Sequence, residues 1–137
     1  MNYWLMKSEP STYSYEQLVK DKKTSWNGVR NFQASANLKA MKIGDRVFFY
    51  HSNEGLAVVG IAEVSKTYYP DPTDKTERFG MVDIKPVQEF ETPVALADIK
   101  KDAKLKDMVL VKNSRLSVQP VTPEEWKHIC QLGGVKG

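Results

Sequence analysis

The residues best equipped for chemistry lie in one run, Trp26-Asn27-Gly28-Val29-Arg30-Asn31-Phe32. Trp26 falls outside any periodic pattern, in a loop just ahead of a helix. Gly28 lets the backbone come close to a neighbour or a ligand. Arg30 and Asn31 stand at the helix entrance, where free backbone N–H groups also point outward. An indole plate, a guanidinium, a carboxamide and bare amides can together grip a planar heterocycle and a phosphate. The plate stacks on a base, worth roughly 1–3 kcal/mol. The carboxamide reads a donor–acceptor edge and the guanidinium takes an anion. A second reading makes Trp26 core and Asn31 a plain N-cap, and the run taken alone fits both.

Other segments bear on the choice. Lys7-Ser8-Glu9-Pro10 places three polar residues directly after a first strand. Tyr50-His51-Ser52 ends another strand with three hydrogen-bonding side chains. Arg115, Ser117 and Gln119 share one strand face without an evident acidic partner. A lone His51 at a strand end is more often structural than functional. Polar groups at several strand ends, with an aromatic in a nearby loop, are nevertheless what a ligand pocket at a barrel mouth needs.

Familiar catalytic patterns are absent: no Gly-x-Ser-x-Gly, P-loop, Gly-x-Gly-x-x-Gly or His-Glu-x-x-His occurs. Cys130 lies two residues from His128 on a C-terminal helix, a spacing that does not bring side chains together. It reads as buried filler. Two histidines and one cysteine cannot close a four-ligand zinc site without carboxylates. Asp71, Asp74 and Glu77 lack the glycine and terminal glutamate of a calcium loop and read as a turn. No catalytic residue, metal ligand or cofactor is therefore expected.

The elements that must hold these residues follow from periodicity and punctuation. Tyr3–Met6 reads as a strand. Ser14 and Gln17 form a capping-box pattern that opens a short helix to about Lys20. Asn31–Met41 reads as a second helix, with Phe32, Ala36 and Ala40 as its buried stripe. Arg46–Ser52 is a strand apolar on both faces, so both faces should be covered. Leu56–Thr67 is a long strand with a bulge or bend at Gly60. A turn-rich loop covers 69–74. Phe79–Phe90 is a strand interrupted at Pro86, which implies an edge or a break there. Ala95–Lys100 and Ala103–Leu110 read as short helices. Arg115–Val121 alternates as a strand, and Thr122-Pro123-Glu124-Glu125 opens a last helix that stops at Gly133-Gly134. Tyr68 and Tyr69 look exposed and could serve a contact between copies. Consecutive strands with short turns imply an α+β fold built on a mostly antiparallel sheet.

At 137 residues the chain has the length of one domain, large enough to bury a core without staples. The longest near-apolar run, Leu56–Ala62, is far short of the ~20 residues of a membrane-spanning helix. The opening MNYWLMKSEP does not read as a signal peptide. A single cysteine fits a reducing compartment, so the expected location is the cytoplasm, or the nucleus in a eukaryote. The net charge of +3 is mild. Six basic and two acidic residues between Lys100 and Arg115 make a local patch, which is either a solvated face or a backbone track. Binding to nucleic acid would therefore work through a patch and a pocket, with bulk counterion release playing a smaller part.

The segments Tyr3–Pro10 (YWLMKSEP), Trp26–Asn37 (WNGVRNFQASAN), Gly44–Ser52 (GDRVFFYHS), Gly60–Val64 with the Pro70-Asp71 turn, Met81-Val82-Asp83 and Arg115–Val121 (RLSVQPV) run nearly end to end. In this order and spacing they resemble the EVE-domain family. The resemblance implies one domain over 1–137 with a PUA-like fold, a curled pseudo-barrel sheet with flanking helices, and kinship with YTH domains. It implies RNA or DNA as partner, with a modified or flipped-out base received in an aromatic-lined pocket. Carried over residue by residue, the implied set is Lys7, Ser8, Trp26, Val29, Arg30, Asn31, Tyr50, His51, Ser52 and Ser117. One departure stands out: Phe79 occupies a position where relatives often carry tryptophan, so an N–H donor is missing there. The expected function is a nucleic-acid-binding module. The alternatives are an enzyme acting on a nucleotide or modified base, with His51 as general base, and a small-molecule sensor or adaptor.

Overall fold

The computed structural model describes residues 1–136. Its architecture follows from strands that are apolar on both sides. In β3 (Arg46–His51) Val47 and Phe49 join one core, while Phe48 and Tyr50 join a second. β1 (Tyr3–Ser8) repeats the pattern, with Trp4 and Met6 in the first core and Leu5 in the other. Side chains alternate across a sheet, so such strands need cover on both faces. α1 (Tyr15–Asp21) and α2 (Phe32–Ala40) cover one face with Tyr15, Leu18, Ala34 and Leu38. α3 (Leu96–Lys101), a 3-10 turn (Ala103–Leu105), α4 (Val109–Lys112) and α5 (Pro123–Leu132) cover the other. There Phe48 stacks on Trp126 at 3.8 Å between ring centroids.

The remaining strands are β2 (Thr24–Ser25), β4 (Ala57–Pro70), β5 (Gly80–Ala95) and β6 (Val118–Val121). The order in the sheet is β2-β5-β4-β3-β1-β6. β1 and β3 pair in parallel and every other pair is antiparallel, so the fold is α+β with a mostly antiparallel sheet, as expected. The edge strands β2 and β6 do not pair with each other, and the sheet stays open. No helix of the described residues is long and apolar enough to cross a membrane.

A bulge in β4 shows how parity is kept. Val58 and Ile61 are three residues apart yet share one core, because the register slips between Val58 and Gly60. Gly60 is needed beside that slip. A Cβ there would lie 2.6 Å from the Tyr15 ring. Close approach of a helix side chain to the sheet is thus the reason for this glycine.

Several sequence expectations are corrected. Phe32, Ala36 and Ala40 are exposed, and the buried face of α2 is Ala34, Ser35 and Leu38. The helix carries small residues on both faces, so spacing alone does not choose between them. Ser14 caps α1 by accepting from the Gln17 amide, but the Gln17 side chain turns forward to Asp21, so the cap is one-sided. At α5 the box is complete: Thr122 and Glu125 bond each other's backbone. β4 continues through Tyr68 and Tyr69, which are half-buried. Pro86 does not break β5; it sits beyond the two residues that β2 pairs, where the outer side of the strand has no partner. The helix expected over 103–110 is two short pieces. Gln119 is fully buried, donating to the Asn113 and Leu116 carbonyls, and so lines no open face.

Candidate functional site

Residues at the C-terminal end of β1 and in the loop after β2 line an open cleft of about 480 Å³. It is lined by Lys7, Ser8 and Glu9 at the end of β1, by Thr12 and Tyr13 ahead of α1, and by Thr24, Ser25, Trp26 and Asn27 in β2 and the loop after it. This volume lies within the ~300–1,000 Å³ usual for ligand sites. Two rings therefore line the cleft, Trp26 and Tyr13.

Each ring is held by the fold. The Trp26 amide donates to the Val82 carbonyl at 2.7 Å, which pins the loop to β5. The indole meets Phe49 edge-on at 5.6 Å, so one part is core and the rest faces the cleft. The Tyr13 hydroxyl donates to Asp21 in α1 at 2.8 Å. The amides of Thr12 and Tyr13 both bond the Glu9 carbonyl, which curls the 9–13 segment over the end of β1.

Charge and hydrogen bonding set the polarity. The Lys7 ammonium donates to the Ser114 carbonyl and lies 5.7 Å from the Tyr50 ring centroid. Burial lowers its pKa, so the ammonium has lost part of its water shell and gains from an anionic partner. Ser114 is next to Arg115, so the basic tract from Lys100 ends beside Lys7. Within that tract Lys112 pairs with Asp107, and Asp102 bonds His128.

The expected site residues divide into three groups. Lys7, Ser8 and Trp26 converge on the cleft. Tyr50 and His51 in β3, Ser52 just after it and Ser117 just ahead of β6 adjoin the cleft. Tyr50 is buried opposite Lys7 in the ladder, the Ser52 amide bonds the Ser8 carbonyl, and the Ser117 carbonyl accepts from the Lys7 amide. His51 Nε2 accepts the Tyr15 amide at 3.1 Å, and burial lowers its pKa, so the neutral ring anchors the start of α1. Val29, Arg30 and Asn31 form the third group and support the loop. Val29 is core, Asn31 caps α2 by accepting the Ala34 amide, and Arg30 turns to Asp71 and Thr73. The two readings of the Trp26 run thus both find a place: Asn31 is a cap, while Trp26 is part core and part wall.

Asp71 organises that support. Burial works against its charge, but bonds from the Thr73 hydroxyl and amide, the Gly28 amide and Arg30 outweigh it and hold its pKa at about 2. Phe79 packs on Phe32 at 4.9 Å with Arg30 over its ring, away from the cleft. The missing indole N–H at that position therefore does not touch the cleft wall. Sequence reasoning missed Tyr13 and Ser25. Tyr13 carries the signal that marked Trp26, an aromatic in a loop beside a helix start. Ser25 carries none, because its role depends on Tyr69, 44 residues away.

The EVE domain matches residues 2–132 of this chain. Human thymocyte nuclear protein 1 is 35% identical over 96% of this chain and 73% of its own length. A crystal structure of a protein from Agrobacterium tumefaciens superposes with a TM-score of 0.96 at 49% identity, covering 100% of this chain and 96% of that one. The crystal structure of human THYN1 in complex with 5-methylcytosine containing DNA superposes with a TM-score of 0.89 at 34% identity, covering 100% of both chains. The open six-stranded sheet with its helices is the PUA-like arrangement of these neighbours. A family match over nearly the whole length, with relatives of this similarity, places the chain in the EVE-domain family.

Proposed function

We propose that this protein binds nucleic acid and receives one base, carrying a modification, in the cleft between Trp26 and the end of β1. The observation that supports this most directly is the convergence of an indole, a partly desolvated ammonium and a hydroxyl on one open concavity. Trp26 stacks on the base, Ser8 meets its edge and Lys7 meets the sugar-phosphate. The tract from Lys100 to Arg115 extends the backbone path from Lys7. Extruding a base from a duplex costs a few kcal/mol, so a single-stranded or already unpaired base binds most easily. The human relative solved with 5-methylcytosine containing DNA supports a methylated cytosine as the first base to try.

The test is fluorescence anisotropy with short oligonucleotides carrying cytosine or 5-methylcytosine at one position. Trp26→Ala is expected to lose about 1–3 kcal/mol of affinity, and Trp26→Phe to keep part of it. Equal binding by wild type and Trp26→Ala across modified and unmodified strands would remove the cleft from the function.

A further inference from the structure

Two hydroxyls of the cleft, those of Ser8 and Ser25, have a direction set by their partners. Ser25 lines the cleft from β2, and its Oγ lies 3.0 Å from the Tyr69 hydroxyl. Tyr69, in β4, donates its own proton to Asp83 in β5. An ionised carboxylate can only accept. The phenol proton is thus committed to Asp83, and Tyr69 turns a lone pair toward Ser25. The Ser25 proton must fill that bond. Ser8 is constrained in the same way, donating to the Tyr13 carbonyl at 2.6 Å. With both protons directed into the protein, Ser8 and Ser25 show the cleft only lone pairs.

We infer that this pair of acceptors, Ser8 and Ser25, favours a base whose edge carries an amino group, and that Tyr69 and Asp83 are positioning residues that hold Ser25 in its accepting state. The inference rests on the reading of the cleft as a base site. A 4-amino pyrimidine offers an N–H donor at the position where a 4-oxo pyrimidine offers a carbonyl acceptor. Against Ser8 and Ser25 the amino group pairs, while the carbonyl meets lone pairs and is left without a partner there. The arrangement does not need the Tyr69 hydroxyl to hold the ring. Lys66 lies 4.0 Å over the ring centroid, a contact that phenylalanine also provides.

5-Methylcytosine and thymine make a suitable pair of probes, since they share the ring and methyl group and differ in the amino-for-oxo exchange. Single-stranded oligonucleotides of one sequence, with either base at one position, are titrated against wild type, Tyr69→Phe and Asp83→Asn. Wild type is expected to prefer 5-methylcytosine by about tenfold. In Tyr69→Phe the Ser25 hydroxyl is free to rotate and donate. The preference should then fall to about threefold or less, mainly because the thymine strand binds more tightly. In Asp83→Asn the carboxamide can donate to Tyr69, which frees the phenol proton for Ser25, and the preference should fall as well. Thermal unfolding checks that both variants keep the fold. Should either fail to fold, Ser25→Ala, at an exposed position, must reduce the preference in its place. Equal binding of the two strands by wild type would overturn the inference, and so would a preference that survives these substitutions. Failure of wild type to bind either strand would overturn the base-site reading itself, and this inference with it.

Discussion

Asp71 accepts the Gly28 amide at 2.8 Å across 43 residues of sequence, and the same carboxylate oxygen takes the Arg30 guanidinium at 3.1 Å. The loop after β4 thereby fixes the loop that carries Trp26. A side chain far from the cleft in sequence sets the position of its aromatic wall.

Replacing Asp71 should therefore move Trp26. Asp71→Ala leaves the Gly28 amide and Arg30 without their acceptor and should cost roughly 1.5–3 kcal/mol in urea unfolding. Nucleic-acid affinity should fall as well, although Asp71 does not line the cleft. Unchanged affinity would show that the Trp26 loop holds its shape unaided.

The acid dependence has a defined sign. The Asp71 pKa is about 2 in the folded protein against an ordinary value of 3.8. The unfolded chain therefore binds the proton first as pH falls. The stabilisation is complete above about 3.8 and is lost between there and about 2. Asp74 behaves likewise, with its pKa held at about 2 by the Thr76 hydroxyl and the amides of Thr76, Phe79 and Arg78. Asp71→Asn should flatten the fall of stability over this window, measured by urea unfolding at a series of pH values. A slope equal to wild type would mean that Asp71 titrates normally.

His51 gives a second pH window. Its folded pKa lies below the ordinary 6.5 because burial disfavours the cation, and its neutral Nε2 accepts the Tyr15 amide. As pH falls below 6.5 the unfolded state gains a proton that the folded state resists, so stability declines until the folded pKa is reached. His51→Gln can still accept the amide but does not titrate. The difference in stability between pH 7 and pH 5 should be smaller in this variant, read by thermal unfolding.

How far the sequence could foretell this structure depended on the range of each interaction. The Thr122–Glu125 box is complete within four residues and was legible. The doubly apolar Arg46–His51 strand stated its two-sided burial directly. The buried face of α2 was not legible, since Ala34, Ser35 and Leu38 differ little in type from the exposed Phe32, Ala36 and Ala40. Lys7, Ser8 and Trp26 could be chosen by residue type and by their place at element ends. The commitment of Arg30 to Asp71, 41 residues on, could not, because only the folded β4–β5 hairpin brings them together. The same holds for Ser25 and Tyr69.

Lys7 provides the last prediction, which separates positioning of the strand from reading of the base. Its ammonium lies on the cleft wall, bonded to the Ser114 carbonyl beside the basic tract. Lys7→Met keeps the apolar stem over the Tyr50 ring and removes the charge. A phosphate contact carries no sequence information. Affinity for cytosine, 5-methylcytosine and thymine strands should therefore drop by the same factor. Each phosphate contact on a single strand contributes about 0.7 to the slope of log K against log salt. The variant should show a slope shallower by about that amount, measured by anisotropy from 50 to 200 mM salt. A loss confined to one base, with the slope unchanged, would place Lys7 on the base edge and reassign the phosphate to another cation of the tract.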